Sequence, residues 1–517
     1  MPLWSILPAL YLLACVLAMS MRQHVWWVAR SATVAGLMTA VALGTGSLVQ
    51  ARFVLERVDT IGWVTATLVA LLGWVIVRFS HRYLEGESGQ ARYVAALLFT
   101  FASVGTLILT HNLLVLALAW TASSLSLHHL LTFHAERAQA QIVAHKKFLA
   151  SRMAETCLLF ALLLIYRATG TMELEGLSAF VAHATSLPPS FHLAAVLIAL
   201  AAILKSAQLP VHGWLIQVME APTPVSALQH AGVVNIGGFV LIRLAPLIAA
   251  TPTARVILVV VGTLTAALAG LVMMTRISIK VRLAWSTCAQ MGFMLMECGL
   301  GLYELALLHL VAHSLYKAHA FLSSGDTVLD ARRHDLAPTW PAKPAHRTVL
   351  YRLIGLPISL GLVEGSAIAW KAWWPGLNLP VVAIAIVGLG LAPLLWGAAE
   401  HPKQSLARGV VRILMLTQLY VFWHLVFGRL VPESGGPSLP LALWVGVCFA
   451  ALYVVQIWLL AYPRGAIATK LFHWTYAGFY LDERFTRLTF RIWPAKVTAP
   501  PTTGGALPRP VMNGRPV

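Results

Sequence analysis

The sequence predicts an all-α polytopic membrane protein with about fifteen transmembrane helices. Three observations predict it. Hydrophobic residues make up 59% of the 517 and charged residues only 11%, with a mean hydropathy of +0.77. A spanning helix needs about 20 predominantly apolar residues, and such runs follow one another along nearly the whole chain. The basic residues behind a net charge of +18 gather in alternate short loops.

The first run, 2–20, has neither a positive n-region nor an A-x-A cleavage site, so it reads as the first membrane helix and not as a cleaved signal. Further spans are expected at 26–48, 58–79, 92–110, 112–133, 145–167, 191–219, 223–249, 254–275, 281–299, 303–324, 348–373, 379–398, 407–430 and 439–461. Loops after odd-numbered spans carry Arg22; Arg78 and Arg82; Arg137, Lys146 and Lys147; Arg276 and Lys280; Arg332, Arg333, Lys343 and Arg347; Lys403 and Arg408. The loop after the seventh span, with only Glu220, is the exception. The positive-inside rule puts these loops in the cytoplasm, the N-terminus outside and the C-terminus inside. It also accounts for an isoelectric point near 10.1 without nucleic acid as a partner. Residues 466–493 are amphipathic and aromatic, which predicts an interfacial helix or a docking surface. From Pro494 onward the chain is rich in Pro and Gly, the composition of a disordered tail.

Several function classes are excluded. No G-x-G-x-x-G opens a helix after a strand and no P-loop is present, so neither nucleotide nor flavin is expected to bind. The five cysteines, Cys15, Cys157, Cys288, Cys298 and Cys448, form no C-x-x-C pair, which argues against an iron–sulfur or structural zinc site. They read as reduced, buried thiols.

The informative residues are the ionisable ones inside apolar spans. Lys205 sits deep in the seventh span, where a charge costs roughly 2.5–3.5 kcal/mol or more. Pro210, five residues on, breaks the same helix and leaves the Ser206 carbonyl without its helical donor. A charge beside a broken helix at membrane depth is a common way to build an ion pathway. His309, His313 and Lys317 are spaced by four and share one helix face. His230, the pair Arg152 and Glu155, Lys280 and Glu364 complete the set. Bland alternatives stand beside each. H-x3-H ligates zinc elsewhere, but no third ligand is in view. His230 is open to local satisfaction, Arg152 with Glu155 to a purely structural i, i+3 pair, and Lys280 with Arg282 to being loop cations. Desolvation disfavours a charged amine and a nearby anion restores it, so buried Lys and His bridged by water suit a proton wire.

Four stretches carry a family resemblance: Lys205 to Trp214 (KSAQLPVHGW), Ala221 to Ala231 (APTPVSALQHA), Ile279 to Gly292 (IKVRLAWSTCAQMG), and His309 through Gly325. They resemble the antiporter-like subunits of respiratory complex I and of multisubunit cation/proton antiporters, most closely the largest such subunit. The resemblance is strongest from about residue 92 to 325. It implies two inverted five-helix repeats, each with one broken helix, and segments at 1–91, 92–250, 251–400, 401–465, 466–493 and 494–517. Family roles then fall on Lys205 as the central lysine of the first half-channel, on His230 as a bridging group, and on His309, His313 and Lys317 as the middle of a horizontal polar axis. Arg152 and Glu155 match an Arg/acid pair on the sixth helix.

Two departures stand out. The family's fifth helix carries Trp-Glu, whereas here the pair is Trp120-Thr121. The family's twelfth-helix lysine aligns with Gly365, which leaves Glu364 beside it as a candidate counter-charge or exit group. The ending Gly478 to Pro494 resembles the membrane subunit of DAB inorganic carbon accumulation complexes. That resemblance implies a bacterial inner-membrane, non-enzymatic coupling subunit that conducts protons, or alternatively sodium. Its partner would be a large cytoplasmic zinc protein resembling a β-carbonic anhydrase, with no cofactor or metal in this chain, and a dimer of heterodimers is left open. The alternatives are a subunit of a respiratory NADH dehydrogenase or cation/proton antiporter, and a membrane scaffold whose channel has decayed.

Overall fold

In a computed structural model, residues 3–54, 59–134, 136–217, 221–326, 345–399, 402–431 and 436–494 are described. Glu220, the loop at 327–344 and the tail from residue 495 lie outside them. Every regular element among the described residues is helical, apart from an isolated antiparallel bridge between Asn112 and Glu173. Ten helices among them are long and apolar enough to cross a membrane, and Ile6–Ser20, Pro189–Lys205 and Val381–Trp396 are shorter apolar helices. Ten falls below the expected fifteen for a visible reason. Three expected spans appear as the shorter helices, and those at 281–299 and 303–324 are helical but less apolar, since they carry Gln290 and Glu297, and His309, His313, Lys317 and His319.

The chain opens with α1 (Ile6–Ser20), α2 (Val25–Val54), α3 (Thr60–Tyr83) and α4 (Gln90–Leu109), with α1 packed on α4 and α2 on α3. Asp59 caps α3 by accepting the Gly62 N–H at 2.9 Å, and its carboxylate also pairs with buried Arg243. Next come α5 (Leu113–Leu131), α6 (Ala138–Thr169), α7 (Leu174–His183) and α8 (Pro189–Lys205). The start of α6 corrects the expected loop. No Gly or Pro separates Arg137 from Ile142, so the helix begins at Ala138 and takes Lys146 and Lys147 into the bundle, where both are buried.

The break after α8 comes earlier than Pro210 alone requires. The helix ends at Lys205, and Ala207 adopts a left-handed φ of +51° before the Leu209–Pro210 bond, which is cis. Such a φ costs a residue with a side chain roughly 1–2 kcal/mol. The freed backbone is satisfied from inside the protein, as it must be in lipid. The Gln208 amide donates to the Ser206 carbonyl at 2.8 Å. Thr265 accepts the Leu209 N–H at 3.3 Å, and the Cys288 thiol donates to the Ala207 carbonyl at 3.2 Å.

After α9 (Gly213–Ile216), a second interruption separates α10 (Thr223–Ala231) from α11 (Ile236–Arg243). There the Asn235 amide holds the Ala231 carbonyl at 3.0 Å and Ser314 at 2.7 Å. The short α12 (Ala245–Ala249) leads to α13 (Pro252–Met273), α14 (Ile279–Leu300) and α15 (Tyr303–Leu322). Gly262 on α13 and Gly292 on α14 let two backbones touch, the small-residue packing typical of membrane helices. A Cβ on Gly262 would stand 2.6 Å from the Gly292 carbonyl and 2.8 Å from the Met296 nitrogen. Gly262→Leu is therefore expected to force the two helices apart. The check is a large fall in folded yield and thermal midpoint in detergent, with Gly270→Leu, which faces open space, as the benign comparison.

The remaining helices are α16 (Ala345–Trp373), α17 (Val381–Leu391), α18 (Pro402–Gly428), α19 (Leu439–Ala461), α20 (Ala466–Tyr476) and α21 (Leu481–Ile492). Pro357 lies inside α16, which continues through it. The turn between α20 and α21 is left-handed at Gly478, Phe479 and Tyr480, and it packs on Trp285 of α14, 3.2 Å from where a Gly478 Cβ would lie. One large apolar core runs through the helices from α1 to α15, and a smaller one joins α13, α14 and α15 to α17 and α19.

Candidate functional site

The interior charges begin where α5, α6 and α8 meet. Lys205, the last residue of α8, donates to Glu155 of α6 at 2.8 Å and to the Trp120 carbonyl at 3.4 Å. Its ammonium sits 4.9 Å from the centre of the Trp120 ring, a cation–π distance. Arg152, one turn before Glu155, shares that carboxylate at 2.8 Å. Lys147 is buried on the same α6 face and donates to the Ser124 carbonyl at 2.7 Å. Lys147, Ser151 and Glu155 are spaced by four, a signal present in the sequence but masked by the assignment of Lys147 to a basic loop.

Glu155 is thus the counter-ion of Lys205. Thr121, where the family has a glutamate, turns its hydroxyl back onto the Ala117 carbonyl at 3.0 Å and gives Lys205 nothing. A single carboxylate beside three buried or half-buried cations is exposed to large effects. Removing one partner of a buried pair costs about 3–5 kcal/mol. Glu155→Gln is expected to lower stability by roughly that amount and Glu155→Asp by less, read as thermal unfolding of purified protein.

The row continues on α10, α14 and α15. His230 is buried and stacks on Phe321 at 4.3 Å, with Nδ1 lacking a partner among the described residues. Lys317 is fully buried and donates to Ser286 at 2.7 Å and to the Leu283 carbonyl at 3.1 Å. It stands within electrostatic reach of both His230 and His313. His313 is buried with neither ring nitrogen hydrogen-bonded among the described residues, 5.9 Å from the His309 ring. His309 closes the row on Glu297 of α14, Nδ1 to Oε2 at 3.0 Å. Glu297 lay in plain view within an apolar span, and the i, i+4 histidines pointed at it only once α14 and α15 were paired.

The other expected residues fall elsewhere. Lys280 is half-buried at the first turn of α14 and donates to Thr223 at 2.9 Å, tying α14 to α10. Glu364 is exposed on α16, and Gly365 beside it faces open space. No described hydrogen bond or ion pair joins Glu364 to the row, which agrees with the 100° turn per residue that separates it from the aligned lysine position. Pro210 sits in the break between α8 and α9.

The C-terminal helices cover the same end of the molecule as Lys146. Asp482 of α21 takes Lys146 at 2.7 Å, and Gln217 accepts from Lys146 at 2.9 Å. Gly213 makes room for this carboxylate, since a Cβ there would overlap Asp482. Trp493 stacks flat on His145 at 3.9 Å, and Arg276 lies between Trp285 and Tyr476, 5.4 Å from each ring centre. The C-terminal helices thus pack, through Asp482 and aromatic side chains, against the chain that follows the α8 break.

Residues 110–387 match the family described as NADH:quinone oxidoreductase/Mrp antiporter, TM. The probable inorganic carbon transporter subunit DabB of Hydrogenovibrio crunogenus is 41% identical, over 85% of this chain and 84% of its own length. DabB2 of Halothiobacillus neapolitanus is 38% identical over 98% of this chain and 97% of its own. NADH-ubiquinone oxidoreductase chain 5 of Metridium senile is 35% identical over 54% of this chain and 46% of its own. Among solved structures, a chain of the Mrp complex from Dietzia sp. superposes with a TM-score of 0.60 at 22% identity, covering 92% of this chain. This chain spans 59% of that one, and the likeness is one of fold.

Proposed function

The chain belongs to the NADH:quinone oxidoreductase/Mrp antiporter family, grouped with the DabB inorganic carbon transporter subunits, and from that premise we propose a cation-conducting coupling subunit. It conducts protons, with sodium as the alternative ion, to energise uptake of inorganic carbon. Its partner is a large cytoplasmic zinc protein resembling a β-carbonic anhydrase, which carries the CO2/bicarbonate chemistry. The chain crosses the bacterial inner membrane about fifteen times, N-terminus outside and C-terminus inside, and α4 to α17 form two inverted repeats.

The observation that carries this reading is the set of buried amines and imidazoles, Lys205, His230, Lys317 and His313, with half-buried His309 beside them, seated in a chain that aligns with DabB2 over 98% of its length. The energies agree in scale. Charges 5–8 Å apart at an effective dielectric near 20 interact by roughly 2–3 kcal/mol. One charge falling through 100 mV releases about 2.3 kcal/mol. A proton reaching Lys205 therefore shifts its neighbours by an amount comparable to the driving gradient.

A second reading, a subunit of a respiratory or antiporter complex, has the Metridium relative in its favour, over 54% of this chain. Purification of the tagged chain separates the two. Carbon uptake requires one large soluble zinc protein in the eluate and bicarbonate accumulation that a protonophore collapses. A set of small membrane subunits, with accumulation indifferent to the protonophore, overturns it.

A further inference from the structure

The row of buried groups needs an outlet, and α16 offers none: the position aligned with the family lysine is Gly365, and Glu364 is exposed on that helix. The far end of α14 offers another. The helix begins beside the C-terminal helix pair, near Trp285, and ends at Leu300 after 22 residues. At 1.5 Å per residue that is about 33 Å, close to the roughly 30 Å of bilayer hydrocarbon. At its end lies a cavity of about 510 Å³ lined by Gly301, Glu304, Trp374, His424 and Arg429.

Three side chains bridge the row to this cavity. Glu297 holds His309 at 3.0 Å. Tyr420 of α18 packs against the α13–α14–α15 core. Its hydroxyl is buried without a hydrogen-bond partner among the described residues and lies within electrostatic reach of both Glu297 and Glu304. His424, one turn along α18, is buried at the cavity wall with its ring 6.2 Å from that of Tyr420. A phenol both donates and accepts, so it suits a relay between a carboxylate and an imidazole.

We propose that Glu297, Tyr420 and His424 carry protons between His309 and this cavity, so that the second half of the pathway leaves through α18 and not through α16. Each step passes one proton along a hydrogen bond, direct or through water, and no covalent bond or electron moves. The sequence hid this route because Tyr420 and His424 lie in a span with no other feature of note.

The inference rests on the conducting reading above, and one set of variants tells the two apart. Proton flux is measured in proteoliposomes holding the purified complex with Glu297→Gln, Tyr420→Phe, Glu364→Gln and Lys205→Ala. Tyr420→Phe removes a single oxygen and is expected to leave assembly and thermal midpoint unchanged while cutting flux by about tenfold or more. Separately, Trp374→Cys on the cavity wall is expected to react with a membrane-impermeant thiosulfonate added from the cavity side, blocking flux. Flux lost in Lys205→Ala but retained in both Glu297→Gln and Tyr420→Phe overturns the α18 route alone, as does flux lost only in Glu364→Gln. Flux retained in all, including Lys205→Ala, overturns the conducting reading itself.

Discussion

Replacing Lys205 with alanine is expected to abolish carbon accumulation while the complex still assembles. Lys205 joins the α8 break to the acid on α6, so under the proposed function its loss removes the amine beside Lys147 that would hold the proton. The fold tolerates the loss better than it tolerates loss of Glu155. Arg152 remains at 2.8 Å to neutralise the carboxylate, and α8 keeps its alanine-rich contact with α6. The variant and the wild type should therefore copurify with the same partner, show similar thermal midpoints, and differ in bicarbonate uptake and proton flux by orders of magnitude. Uptake at the wild-type level in a Lys205→Ala strain would falsify the coupling role.

Asp482→Asn is expected to detach the C-terminal helix pair and so separate conduction from uptake. Lys146 has a fully buried side chain, whereas that of Asp482 is 24% exposed. The loss should therefore fall somewhat below the roughly 3–5 kcal/mol of a fully buried pair. Even about 2 kcal/mol weakens docking some thirtyfold, since each 1.4 kcal/mol is a factor of ten. The exposed Arg484, Arg487 and Arg491 on α21 then become faster trypsin sites. Under the proposed function uptake falls with the loosened helix, because α21 packs beside the α8 break and would be the element that meets a cytoplasmic partner. Asp482→Glu should recover most of the loss, and the exchange Asp482→Lys with Lys146→Asp a part of it. Unchanged proteolysis and unchanged uptake in Asp482→Asn would remove α21 from the coupling route.

Much of this was legible in residues alone. Apolar runs gave the helical, multi-pass architecture, because backbone groups in lipid have few other solutions. Lys205, Lys317, His309 and His313 stood out because charge at membrane depth is rare. What escaped was pairing across helices. Lys146 and Lys147 read as loop cations, since a helix start without a Gly, Pro or capping residue leaves little mark on the sequence. Glu155 read as half of a local pair with Arg152, while its second partner lies 50 positions away. The missing Trp-Glu carboxylate looked like a loss until α6 was seen to supply another. Asp482 is separated from Lys146 by 336 positions, a distance that no periodicity spans.

The backbone contact of Gly262 with Gly292 carries a mechanical consequence. Helices that interlock at 2.6–2.8 Å from where a side chain would begin cannot slide past each other without collision. The spine made by α13 and α14 thus resists shear, the usual way in which packed helices transmit movement. Under the proposed function, work delivered to a partner would then travel as rotating side chains and displaced charge around a stationary frame, closer to a capacitor than to a lever.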